Sequence, residues 1–194
     1  MNPVVHGRVY SLNDRLQLIA QRVDRSMRVP QKRPDGSEYM LRDLALEQVQ
    51  GCPQDGQAKE ACEIAAIFNF VSHNVEYRQD PTDYDLYMGA GHTLNAGGSD
   101  CDDHSILTAA MLSSIGYNVG CKVVGPNADG SGGLHIYTVV GVNPWYAPQQ
   151  LIAVDTSMAH RGSYPGWEPP AEQRRFQAIG TFRGGRVEGL TQRN

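Results

Sequence analysis

One stretch limits the fold of this chain more than any other. From Cys101 a helical run carries Ile106, Leu107, Ala110, Met111 and Leu112 as a buried stripe, and Gly116 suits the position just past its C-terminus. Three strand-like segments follow, 120–124, 135–142 and 151–154, joined by GPNADGSGG and NPWYAPQQ rather than by helices. A central helix packed on a small antiparallel sheet is an α+β arrangement. The same order argues against the alternating βαβ pattern of a Rossmann-type domain, and neither GxGxxG nor GxxxxGK(S/T) occurs.

Helices precede this unit. Leu12, Leu16, Ile19, Ala20, Val23 and Met27 recur at helical spacing, with Arg15, Arg22, Arg25 and Arg28 on other faces and Ser11 or Asn13 as the cap. A second helix is predicted over 40–49. A third covers about 58–73, its apolar side formed by Ala61, Ile64, Ala65, Phe68 and Val71. Residues 75–99 lose periodicity and read as a loop, and a loop of that length in a compact domain is functional or disordered. Beyond residue 158 little pattern remains. The expected organisation is a helical arm over 1–50, a core over 51–158, and a basic, extended tail containing Gly and Pro over 159–194.

The net charge of −4 conceals an acidic centre. Residues 43–155 carry fourteen Asp/Glu against three Lys/Arg, whereas 1–42 carry eight Lys/Arg against four acids and 156–194 carry six against three. The basic ends read as solvated arms, with an anionic partner as the alternative. Nucleic acid is not expected as a partner. No apolar run approaches the roughly 18–20 residues of a membrane helix, and no basic-then-apolar leader opens the chain, so a cytoplasmic or virion-associated location is expected. Cys52, Cys62, Cys101 and Cys121 form no CxxC pair and are read as reduced thiols, Cys62 and Cys121 as small buried hydrophobes. Cys52 and Cys62 with His73 match no recognised zinc spacing.

Cys101 is different, because GGSDCDDHS places it in the first turn of a helix. A thiolate nucleophile needs stabilisation of its charge and a base to take and return a proton. The free N–H groups of a first turn supply the former, with Ser99 or Asp100 as cap. His135 opens the strand HIYTVVGV and is the candidate base; Asp155 ends LIAVD and is the candidate orienting acid, unless it merely begins an Asx-type turn with Thr156 and Ser157. The backbone N–H of Cys101 is the first oxyanion donor, and Asn95, His92 or Tyr77 the second. Asp100, Asp102 and Asp103 read first as complements to the helix dipole, worth roughly 0.3–1 kcal/mol each. Their alternative is a calcium site with loop carbonyls. His104, one turn on, reads as exposed or packing.

VEYRQDP, GGSDCDDHSILTAAMLSSIGYNVGCKVVG, LHIYTVVGV and LIAVDTS, spread over residues 60–158, together resemble the transglutaminase-like superfamily, with its papain-like core carrying Cys, His and Asp in this order. The likeness is greatest to bacterial transglutaminase-like cysteine proteinases and to small transglutaminase-like proteins of tailed phages. The resemblance implies Cys101 as nucleophile, His135 as general base and acid, and Asp155 as orienter. It also implies a cysteine-dependent acyl-transfer enzyme acting on a peptide or glutamine-type amide, hydrolytic rather than crosslinking, with no required cofactor beyond calcium in some relatives. The alternative is a virion or assembly protein that keeps the fold and binds a structural partner. The chain departs from the family's usual Gly-Asp-Cys in having Ser99 before Asp100, and from its usual His-Val-Trp in having Ile136 and Tyr137 after the histidine.

Overall fold

A computed structural model describes residues 4–6, 11–80, 85–142 and 151–193. Its first strand is β1 (Val4–His6), and its first helix is α1 (Leu12–Arg28). Ser11 caps α1, its hydroxyl accepting the Asp14 N–H at 3.2 Å. Asp14 in the first turn and Arg25 and Arg28 in the last complement the helix dipole. A two-residue hairpin pair, β2 (Gln31–Lys32) and β3 (Glu38–Tyr39), leads to α2 (Leu41–Val49) and α3 (Gly56–Asn74). All three predicted helices are present.

The region read as a loop over 75–99 carries short elements among its described residues, 75–80 and 85–99. It holds β4 (Glu76–Tyr77), β5 (Asp85–Tyr87), α4 (Ala90–Ala96) and β6 (Gly98–Ser99). β5 pairs with β1, and β4 runs parallel to β6 with Tyr77 opposite Ser99. These elements are too short for a periodic signal, and their pairing is with partners elsewhere in the chain. Gly97 ends α4 with φ +64°, a left-handed conformation that glycine takes without strain.

The central helix α5 (Cys101–Ser114) lies against β7 (Val119–Gly125) and β8 (His135–Gly141), and β9 (Leu151–Val154) extends the sheet beyond β8. Every residue of α5 from Asp102 to Leu112 is buried, so the expected single stripe is wrong. The sheet covers one side, and α1, α2, α3 and α4 cover the others. A Leu107→Ala change there costs about 2–5 kcal/mol through the cavity it leaves.

The segment after 158 is no extended tail. A 3-10 turn (Thr156–Arg161) and a shorter one (Ala171–Gln173) lead to β10 (Phe176–Arg183) and β11 (Arg186–Arg193). The sheet order is β11-β10-β7-β8-β9, antiparallel throughout. Gly184 and Gly185, at φ +52° and +73°, make the tight β10–β11 turn. Leu16, Ile19 and Val23 of the supposed arm and Phe176 and Ala178 of the supposed tail share one core with α5. Cys52 and Cys62 are also not free thiols. The α2–α3 turn brings their Cα atoms to 5.6 Å, and they form a disulfide across ten residues. Cys121 is buried as expected. The loop NPWYAPQQ lies outside the described residues. Among those described, no helix is long and apolar enough to cross a membrane.

Candidate active site

Three elements converge on one spot. Cys101 is the first residue of α5 with Asp100 as N-cap, so its N–H has no partner within the helix. Ser105 fastens this turn to the sheet, its hydroxyl reaching the Cys101 carbonyl at 2.7 Å and the Ile136 carbonyl at 3.3 Å. Thr138 returns a bond to the Ser105 carbonyl at 3.1 Å. The thiol therefore meets β8 at Ile136, beside His135.

His135 Nε2 is 2.7 Å from Asp155 Oδ2. Asp155 is 1% exposed, and its other oxygen accepts the Ser157 hydroxyl at 2.7 Å and the Met158 N–H at 3.3 Å. Asp155 thus both begins the following turn and bonds to His135. The imidazole also lies beside the Tyr137 ring, centroids 5.7 Å apart. With Nε2 occupied by the carboxylate, Nδ1 is the ring nitrogen that remains for proton transfer. No hydrogen bond joins thiol to imidazole among the described contacts; such bonds are often long before substrate binds.

The other side of Cys101 is electrostatically hostile. Burial pushes its thiol well above the ordinary range, and Asp100 and Asp102 push it further, while a backbone hydrogen bond from Ile136 opposes them. Asp100, Asp102 and Asp103 each place one oxygen within 4.8 Å of the others. One oxygen of each, Oδ1 of Asp100 and Asp102 and Oδ2 of Asp103, is buried without a hydrogen-bond partner. Burial raises Asp102 well above the carboxylate range and Asp103 to about 8, the latter despite a 2.6 Å bond from the Met88 N–H. Asp80 joins them, raised by burial to about 6. The buried Arg22, expected on an outer face of α1, lies within electrostatic reach of Asp103. Clustered, unsatisfied, all-oxygen donors suit a hard divalent cation.

Of the oxyanion candidates, only Tyr77 is brought here: Cys101, Asp100 and Asp155 all act on its phenol electrostatically. His92 and Asn95 are exposed on α4, and the Asn95 amide is spent on the Lys32 carbonyl at 2.6 Å. His104, expected exposed or packing, is 1% exposed, bonded through Nδ1 to the Thr156 hydroxyl at 3.1 Å, and depressed by burial to about 4. The sequence reading gave no site role to Asp80, although it lies in the quoted stretch VEYRQDP, and placed Ser157 only in the turn after Asp155.

A family model, the transglutaminase-like superfamily, matches residues 43–160. The chain belongs to that superfamily, and the helix packed on an antiparallel sheet described above is its α+β core. A solved structure described as a "putative cysteine protease" from Cytophaga hutchinsonii is similar at 15% identity and a TM-score of 0.43. The likeness covers 79% of this chain and 48% of that one, so the chain spans about half its length. No curated protein matches.

Proposed function

We propose that the protein is a hydrolytic cysteine acyl-transfer enzyme, a peptidase or amidase, with Cys101 as nucleophile, His135 as general base and acid, and Asp155 as orienter. The observation that carries this reading is the 2.7 Å His135–Asp155 bond, between the start of β8 and the turn after β9, both of which pack against the helix that begins at Cys101. Asp155 holds Nε2–H, so Nδ1 takes the thiol proton as Sγ attacks a substrate carbonyl carbon. The oxyanion meets the Cys101 N–H and the Tyr77 hydroxyl. His135 then protonates the departing amine, leaving a thioester. Water, deprotonated by the same nitrogen, releases the acid and restores the thiol.

Asp100, Asp102 and Asp103 would hold calcium, with Asp80 near enough to act on them electrostatically. Bound there, the ion supplies positive charge that offsets the carboxylates opposing ionisation of Cys101.

The test is a random peptide library incubated with the protein in ¹⁸O-water, with and without calcium. New carboxyl ends bearing one heavy oxygen, absent with Cys101→Ala and His135→Ala, are expected. Cleavage that survives Cys101→Ala contradicts the mechanism. Incorporation of an added amine in preference to water reassigns the enzyme to transfer.

A further inference from the structure

A cavity of about 510 Å³ lies between the end of α3, β4 and the turn after Asp155. Its polar lining is one-sided. Ser72 donates its hydroxyl hydrogen to the Phe68 carbonyl at 2.8 Å, Ser157 to Asp155 Oδ1 at 2.7 Å, and Ser163 to the Asp155 carbonyl at 2.6 Å. A hydroxyl has one hydrogen, so these three offer the cavity only lone pairs.

The two histidines do the same. His73 Nδ1 lies 2.6 Å from the Asn69 carbonyl, and His160 Nδ1 lies 3.0 Å from the Ser157 carbonyl. A carbonyl only accepts, so each Nδ1 carries a hydrogen, and in the imidazole form that geometry selects the tautomer whose Nε2 is an acceptor. Glu76 adds a carboxylate whose Oε2 alone is engaged by Arg78. Against these acceptors stand the Tyr77 hydroxyl and the amides of Asn69 and Asn74, the latter already bonded once to the Phe70 carbonyl at 2.8 Å.

A ligand that complements this wall is rich in N–H and poor in lone pairs. Ammonium and guanidinium groups meet that description; a carboxylate or phosphate would oppose lone pair with lone pair. The Tyr77 ring, stacked on His160 at 5.7 Å and 15°, adds an aromatic surface of the kind that attracts cations. Exposed Arg161 also acts on Tyr77, so the preference rests on the excess of acceptors rather than on net charge. Ser157 touches Asp155, and Tyr77 lies within the field of Cys101. We propose that this cavity is a subsite for a lysine or arginine side chain of the substrate, close to the bond attacked. Its role as a subsite rests on the enzyme reading above; its ligand chemistry does not.

The test uses the full chain carrying Cys101→Ala, so that binding is read without turnover. Nα-acetyl-lysine and Nα-acetyl-arginine methylamides are titrated beside the norleucine and glutamine analogues, following the His73 and His160 imidazole signals by NMR. The cationic probes are expected to bind at least about tenfold more tightly than norleucine and to move both signals. The exposed double variant His73→Leu/His160→Phe is expected to lose that preference. Equal binding of norleucine, tighter binding of glutamine, or unmoved imidazole signals overturns the proposal. Iodoacetamide labelling of the wild-type thiol is measured separately. Slow labelling alongside an intact lysine preference supports the cation site while removing the enzyme reading.

Discussion

Cys101 stands between two polar regions built on opposite terms. On the β8–β9 side, His135, Asp155, Ser157 and Met158 form a closed chain of hydrogen bonds in which both carboxylate oxygens are used. On the α5 side, Asp100, Asp102 and Asp103 leave three buried oxygens without partners, with Asp102 and Asp103 held far above the carboxylate range. Buried charge without compensation is costly. The first region is organised by the chain itself. The second is completed by protons or by a cation.

Removing the organised side should have the largest effect. His135→Ala is expected to lower turnover about 10³-fold or more, measured on any peptide cleaved by the wild type. Asp155→Ala is expected to cost about 10²-fold, because the ring loses its orienting partner; unchanged melting would show that the loss is not unfolding. If both variants kept full activity, the closed chain would be structural only.

The second region is sharpened by calcium. Millimolar calcium is expected to raise the alkylation rate of Cys101 about tenfold and to raise the melting temperature, with Asp102→Asn weakening both responses. Without calcium, pH provides an independent reading. Asp103 in the folded state holds its proton up to about pH 8, whereas in the unfolded chain it releases it near the ordinary carboxylate value of 3.8. The folded state therefore binds more protons between those limits, and its stability declines as pH rises through them. Asp80, raised to about 6, acts in the same sense. His104, depressed to about 4, acts oppositely below the ordinary imidazole value of 6.5, so the decline should be clearest from pH 6.5 to 8. Thermal melts across that range check it, and calcium should flatten the slope.

The smallest effect on activity belongs to the disulfide. Reducing Cys52–Cys62 is expected to cost about 2–4 kcal/mol of stability while leaving the Cys101 alkylation rate unchanged.

Legibility in the sequence followed the same divide. The Cys101 helix, the His135 strand and the strand before Asp155 were readable because each is a run of mostly apolar residues bounded by Gly, Pro or Asp. The β4–β6 pair and β5 were not, since two- and three-residue strands exist only through distant partners. β10 was hidden because Ile179 on its outward side and Gly180 on its inward side blur the alternation, although Gly184–Gly185 marked the turn that follows. The aspartates flanking Cys101 were visible as acids. Their burial was not, because it arises from four helices closing over α5.

The most direct test of the central claim is the rate at which iodoacetamide alkylates Cys101 near pH 6 with calcium present, in wild type and in His135→Ala. Cys121, buried with its thiol pushed far up, serves as the internal silent control. The account expects wild-type Cys101 to react faster than a free thiol and the variant to lose that advantage. Equal rates in the two proteins, or a wild-type rate no faster than a free thiol, would contradict it.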